Sequence, residues 1–230
     1  MMKRLCVVLC LAVGVLSAGR AAAQQGVDPF LKSAPPGPPE SGVSIALSVG
    51  YGLPMGSVSG TQKMSDLFSG ALPLQVDVGW RFTPNLYAGA FFQYSIAFIS
   101  SKQDALCTLN NWTSCSGSDM QFGVDFVYTF LPYATFAPYV GLGLGWEIAT
   151  LSYSGSNQSI SESLSGFQFA RILVGGDFRM GSAFRVGPFV NFSLGQFSSL
   201  SSPNTAANGT ISDKAIHSWL QFGIKGTVDL

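Results

Sequence analysis

The feature that most constrains this chain is an alternation of apolar with small or polar residues, at period two, that returns eight times. Val43, Ile45, Leu47, Val49 and Tyr51 alternate with Ser44, Ala46, Ser48 and Gly50. Leu74, Val76, Val78, Trp80 and Phe82 alternate with Gln75, Asp77, Gly79 and Arg81. The pattern returns in Ala88, Ala90, Phe92, Tyr94, Ile96 and Phe98, in Phe122, Val124, Phe126, Tyr128 and Phe130, and in Val140, Leu142, Leu144, Trp146 and Ile148. A sixth segment sets Ile172, Val174 and Phe178 against Arg171, Gly175, Asp177 and Arg179, but Phe169 and Leu173 fall out of phase. Phe184, Val186, Val190, Phe192 and Leu194 form the seventh, and Leu220, Phe222, Ile224, Val228 and Leu230 the last. Period two is the period of a strand, whose successive side chains point to opposite faces. A helix would repeat at 3.6.

Alternation alone is also found in sandwiches, so three further observations are needed. The segments run about nine to twelve residues, the length of a tilted membrane-spanning strand. Their connections alternate: short around Thr83, Pro84 and Asn85, over 131–137 and over 181–183; long and Ser/Gly/Asn-rich near 53–70, 99–118, 152–165 and 197–214. Long loops at one rim and tight turns at the other mark a barrel in a membrane. The charges also keep to one face. Asp77, Arg81, Asp125, Glu147, Arg171, Asp177, Arg179, Arg185, Lys225 and Asp229 all fall on the polar side, five acidic and five basic. In lipid such a charge costs roughly 2–4 kcal/mol near the midplane; inside a narrow barrel the ten can pair as a neutral interior network.

Composition agrees. Charged residues are 10% of the chain, against roughly 25% in soluble domains, and mean hydropathy is +0.33. Beyond the first two dozen residues no apolar run reaches the roughly 20 residues of a membrane helix. Greasy surface without greasy runs is what alternating strands in lipid require, because a closed sheet pairs every backbone amide. The predicted fold is all-β: an eight-stranded antiparallel transmembrane up-and-down barrel over residues 42–230.

Ahead of it, residues 1–23 read as a cleaved signal peptide: Lys3 and Arg4, an apolar stretch over 5–16, and Ala21, Ala22 and Ala23 before Gln24. Residues 24–41 are Pro-rich and without period, a periplasmic spacer arm. Cys6 and Cys10 depart with the leader, leaving Cys107 and Cys115 as one loop disulfide in an exported chain. The formal net charge is zero, and without a basic stripe no nucleic-acid partner is expected. Tyr51, Trp80, Tyr94, Tyr128, Tyr139 and Trp146 are the candidates for aromatic girdles at the lipid–water boundaries.

Across residues 42–230 the chain resembles the small outer-membrane barrel proteins of the OmpA/OmpX/OmpW-like kind. The resemblance is carried by the run Pro138, Tyr139, Val140, Gly141, Leu142, Gly143, Leu144, Gly145, Trp146, by the run from Val186 to Gly195, and by the alternating last strand. It implies export to a Gram-negative-type outer membrane, contact with its lipid and lipopolysaccharide, and delivery by the barrel-assembly machinery, which commonly reads an aromatic last residue; here the last residue is Leu230. It implies no particular activity, because this fold carries adhesins, anchors, narrow channels and a few enzymes.

Chemistry is sparse. The glycines at 141, 143 and 145 share one strand face with no helix after them, unlike a nucleotide loop. His217 sits beside Ser218, but neighbours on a strand point apart, so a lipid A deacylase pairing is not satisfied. No catalytic, metal-binding or cofactor-binding set emerges. The expectation is therefore a monomeric, non-enzymatic outer-membrane protein with a filled interior and loops facing an unidentified extracellular ligand. A small-solute or ion pore, a lipid-modifying enzyme and a soluble lipocalin-like binder with its greasy face inward are the rival readings.

Overall fold

Eight segments that each bury one face must find neighbours on both edges, and here they do so by closing on themselves. The computed structural model describes residues 40–156, 158–202 and 209–230; the predicted leader and nearly all of the Pro-rich arm lie outside them. In chain order the elements are β1 (Gly42–Gly56), α1 (Met64–Leu67), β2 (Phe68–Arg81), β3 (Leu86–Ile99), α2 (Ser101–Leu109), β4 (Ser114–Thr129), β5 (Phe136–Ser154), β6 (Ser159–Arg179), β7 (Phe184–Ser201), the two-residue β8 (Gly209–Thr210) and β9 (Ile216–Asp229). Each strand from β1 to β7 pairs antiparallel with the next, β7 pairs with β9, and β9 returns to β1. The result is a closed eight-stranded antiparallel barrel, with β8 a stub on β7. Closure leaves no unpaired edge, the condition for strands in hydrocarbon.

The wall sorts its side chains by parity. Leu47, Val49, Leu74, Val78, Ile96, Leu142, Val174 and Ile224 are exposed on the outside, Leu142 at 63%. The polar residues between them are buried in the lumen. So large a contiguous apolar surface calls for a non-aqueous neighbour.

Two features differ from the sequence reading. The strands are longer than nine to twelve residues, reaching 19 in β5 and 21 in β6. Much of the predicted loop at 152–165 is therefore ladder, from Ser152 opposite Ser161 to Ser154 opposite Ser159. Above the lipid both faces can be polar, so the alternation fades while backbone pairing continues; serine hydroxyls bridge the strands there, Thr150 with Ser163 at 3.0 Å and Ser165 with Ser199 at 2.7 Å. The second feature is the phase slip in β6. The register of β6 against β7 shifts between Gln168 and Ala170, a bulge that lets Phe167 and Phe169 face outward on one side of it and Ile172 and Val174 on the other. A one-residue bulge flips the parity of all that follows.

The loops also differ. The β1–β2 connection folds inward: Val58, Met64 and Leu67 are buried against Phe68, Ala71, Ala97, Phe197 and Trp219, capping the mouth of the barrel. The disulfide is as the sequence predicts: Cys107 and Cys115 are joined, tying α2 to the start of β4.

Candidate functional site: the filled lumen and its lid

The lumen is built in layers. At the turn rim, Asp229 is the hub. It accepts from Arg81 Nη2 at 3.1 Å, from Arg185 Nε at 3.0 Å and from Ser44 Oγ at 2.7 Å. Arg185 also reaches Asp177 at 3.1 Å, and Arg179 is buried nearby. β9, β1, β2, β6 and β7 carry these groups, so the network crosses the seam where β9 meets β1.

One layer higher, Arg171 pairs with Asp125 at 3.4 Å, donates to Gln75 and stacks its guanidinium 4.2 Å from the Phe91 ring. Gln75 in turn donates to Asp77 at 2.7 Å. Lys225 lies 3.7 Å from the centre of the Tyr139 ring. Gly143 makes room for Asp125: a Cβ there would fall 1.9 Å from its carboxylate oxygen. Between these two layers is a cavity of about 40 Å³ lined by Asp77, Tyr87, Asp125, Tyr139 and Lys225 among others, room for about three water molecules.

All ten of the predicted charges lie on the lumen side, but they do not form one network. Glu147 stands apart, beyond a layer of amides. Gln168 donates to Gln121 at 3.0 Å and Asn191 to Gln221 at 2.9 Å, with Gln93 and Gln75 in the same band. Past that layer Glu147 accepts from His217 Nε2 and from Trp219 Nε1, both at 2.9 Å, with the Asp119 carboxyl buried on the same lumen side and accepting from Gln121 at 2.8 Å. The Phe197 ring stacks on His217 at 4.0 Å. Gly195 permits this approach, since a Cβ there would lie 2.9 Å from His217 Nε2. Glu147 and His217 are each 1% exposed, and His217 turns toward Glu147. The hydrophobic lid then seats on Trp219 and Phe197.

The sequence reading missed Asp119, the Glu147–His217 pair, the amide layer and the lid. Asp119 shares the parity of Gln121 and Asp125, so extending that strand by one step would have found it. Gln168 was hidden by the bulge.

The aromatic candidates divide. Trp80 and Tyr128 are exposed near the turn rim with Phe82, Phe130 and Phe136, while Tyr51, Tyr94 and Trp146 are exposed nearer the loops with Phe98, Phe167 and Phe222. Trp80 is opposite Val43, and Tyr51 is eight residues farther along β1. That separation is about 26 Å of strand, or about 20 Å of barrel height at a tilt of roughly 40°. Tyr139 is a correction. It is 2% exposed and inside the lumen, because it shares the parity of Gly141 and Gly143 rather than of Val140 and Leu142. Its ring fits over Gly175, where a Cβ would meet the hydroxyl at 2.4 Å.

Outside the hydrocarbon, Asp66 on the lid accepts from the Lys63 backbone amide at 3.3 Å and pairs with Lys102 at 3.3 Å. The backbone bond first, and then Lys102, hold its carboxyl below the usual range.

The same wall occurs in solved proteins. Neisserial surface protein A superposes with a TM-score of 0.50 at 12% identity, over 83% of this chain and 97% of that one. OprG from Pseudomonas aeruginosa does so with a TM-score of 0.50 at 12% identity, over 84% of this chain and 98% of that one. This is the OmpA/OmpX-like barrel fold. The likeness is of fold only, since no family model matches the chain and no curated protein matches it in sequence. In this barrel the described lumen is packed from the turn rim to an apolar lid.

Proposed function

We propose that the chain is a non-enzymatic integral outer-membrane protein, exported with loss of residues 1–23, that acts as a structural and surface-interacting barrel. The observation that carries this reading is the filled lumen inside an apolar wall. Ion pairs, amides, the Glu147 cluster and the lid succeed one another along the axis. A solute path is disfavoured by that stacking, and an enzyme by the burial of His217, Glu147 and Asp119 beneath the lid. The parts left to interact are the lipid-facing wall, in contact with acyl chains and lipopolysaccharide, and the loop rim, facing an extracellular ligand. The β9 strand is the segment offered to the barrel-assembly machinery, and the barrel acts as a monomer.

Two measurements test it. Envelope fractionation with an unheated gel should place a compact, heat-modifiable band in the outer membrane. Purified protein in planar bilayers should give no single-channel steps. Recovery as a folded aqueous periplasmic protein, or steady conductance, would overturn the reading.

A further inference from the structure

A second cavity, of about 270 Å³, opens at the loop rim away from the lumen, lined by Gln103, Leu106, Asn110, Trp112, Tyr153, Ile160 and Glu162. We propose that it binds a single neutral sugar ring, a hexose unit of a surface glycan. The proposal rests on the surface-interaction reading above and names the ligand class of that rim.

The site is held in shape. The Cys107–Cys115 disulfide fixes α2 to β4, Ser100 caps α2 by accepting from the Gln103 amide at 3.1 Å, and the Asn111 backbone turns through the left-handed region at φ 59°. That turn delivers Trp112, whose amide donates to the Cys107 carbonyl at 3.1 Å. Trp112 packs on Tyr153, ring centres 6.0 Å apart at 40°, and against Gly155, where a Cβ would come within 3.2 Å of the indole. Tyr153 is held by Gln103, which donates to its hydroxyl at 2.8 Å. Anchored aromatics of this kind lose little freedom when a ligand seats.

The lining chemistry selects the ligand. It contains no cation, so a phosphate, sulfate or carboxylate would find only the Glu162 carboxylate to repel it. Each amide nitrogen has one of its two N–H groups engaged, Gln103 Nε2 on the Tyr153 hydroxyl and Asn110 Nδ2 on the Leu106 carbonyl, both at 2.8 Å. What the cavity offers is neutral donors and, in excess, acceptors: two amide oxygens and the Glu162 carboxylate, beside the second amide N–H groups and the Tyr153 hydroxyl. An acceptor-rich site takes a donor-rich ligand, and hydroxyl groups are neutral donors. The two rings touch each other instead of facing across a gap, so they form a platform for the apolar face of a sugar and not a cage for an ammonium. The volume is just below the roughly 300 Å³ at which drug-sized pockets begin, suited to one ring.

The test uses the whole chain, folded in detergent or nanodiscs, with glucose, galactose and N-acetylglucosamine as probes and saturation-transfer NMR as the readout. Transfer to at least one sugar is expected. It should weaken about tenfold in Trp112→Ala and survive in Trp112→Phe, with the heat-modifiable band unchanged in both. No transfer from any of the three, transfer undiminished in Trp112→Ala, or preference for tetramethylammonium over all of them would overturn the proposal. Protease added to intact cells separates the two readings. If the α2 loop is cleaved from outside while the purified protein binds no sugar, the glycan site fails and the surface role stands. If sugar binds but the loop is never reached, the outward-facing rim fails, and the glycan role falls with it.

Discussion

Asp229, one residue from the end of the chain, shows how much a single side chain does in a sealed lumen. It satisfies two guanidinium groups and a hydroxyl. Removing it leaves Arg81 with the Pro84 carbonyl in place of a carboxylate and Arg185 with Asp177; losing one partner of a buried ion pair costs about 3–5 kcal/mol. Asp229→Ala is expected to lower the unfolding free energy by that amount, read by urea titration in lipid vesicles, while Asp229→Asn should lose less because an amide oxygen still accepts. Asp66 behaves differently because it is outside the lumen. Its carboxyl is depressed in the folded state, so its contribution is present above the ordinary carboxylate value of 3.8 and fades as pH falls through the lower folded value. Lid contacts of Met64, followed by methyl NMR, should be unchanged between pH 7 and pH 5 and loosen only below about pH 3.8.

At the scale of one strand, β5 carries two environments on one outward stripe. Leu142 faces lipid between the aromatic bands, and Ser152, on the same parity, lies in the serine ladder above them. An arginine on the lipid face costs about 2–4 kcal/mol at the midplane and about 0–1 near the boundary. Leu142→Arg should therefore destabilise by the first figure and Ser152→Arg by the second, measured by the same titration. Equal costs would mean that the bilayer reaches the ladder. The β6 bulge makes the same point about parity, since Phe169 and Ile172 share a face only because one extra residue separates their halves of the strand.

Across the whole molecule, lid and lumen close the barrel twice. Met64 and Leu67 seat on Phe68 and Trp219, and burial of each is worth about 1.5–3 kcal/mol. The double substitution Met64→Lys with Leu67→Lys is expected to lift the lid and speed proteolysis of the β1–β2 connection. It should still yield no channel in planar bilayers, because the amide layer and the Arg171–Asp125 pair lie beneath. Conductance in that variant would make the lid the only barrier and the lumen a pore.

The sequence determined the strand count through its alternation, the antiparallel order through its alternating loop lengths, and which charges share a face, because parity is a local property: Asp77 and Val78 must face opposite sides whatever surrounds them. The turns near 83–85 and 181–183 were legible for the same reason. Tertiary structure alone decided who meets whom. Glu147 joins His217 and Trp219, 70 and 72 residues away, and not the other charges on its face, because partners in a lumen are chosen by height and by diameter, neither of which is written in any one strand. The lid, too, was invisible. Val58, Met64 and Leu67 follow no period, and only the apolar floor assembled from β2, β3, β5, β7 and β9 gives them a reason to fold inward.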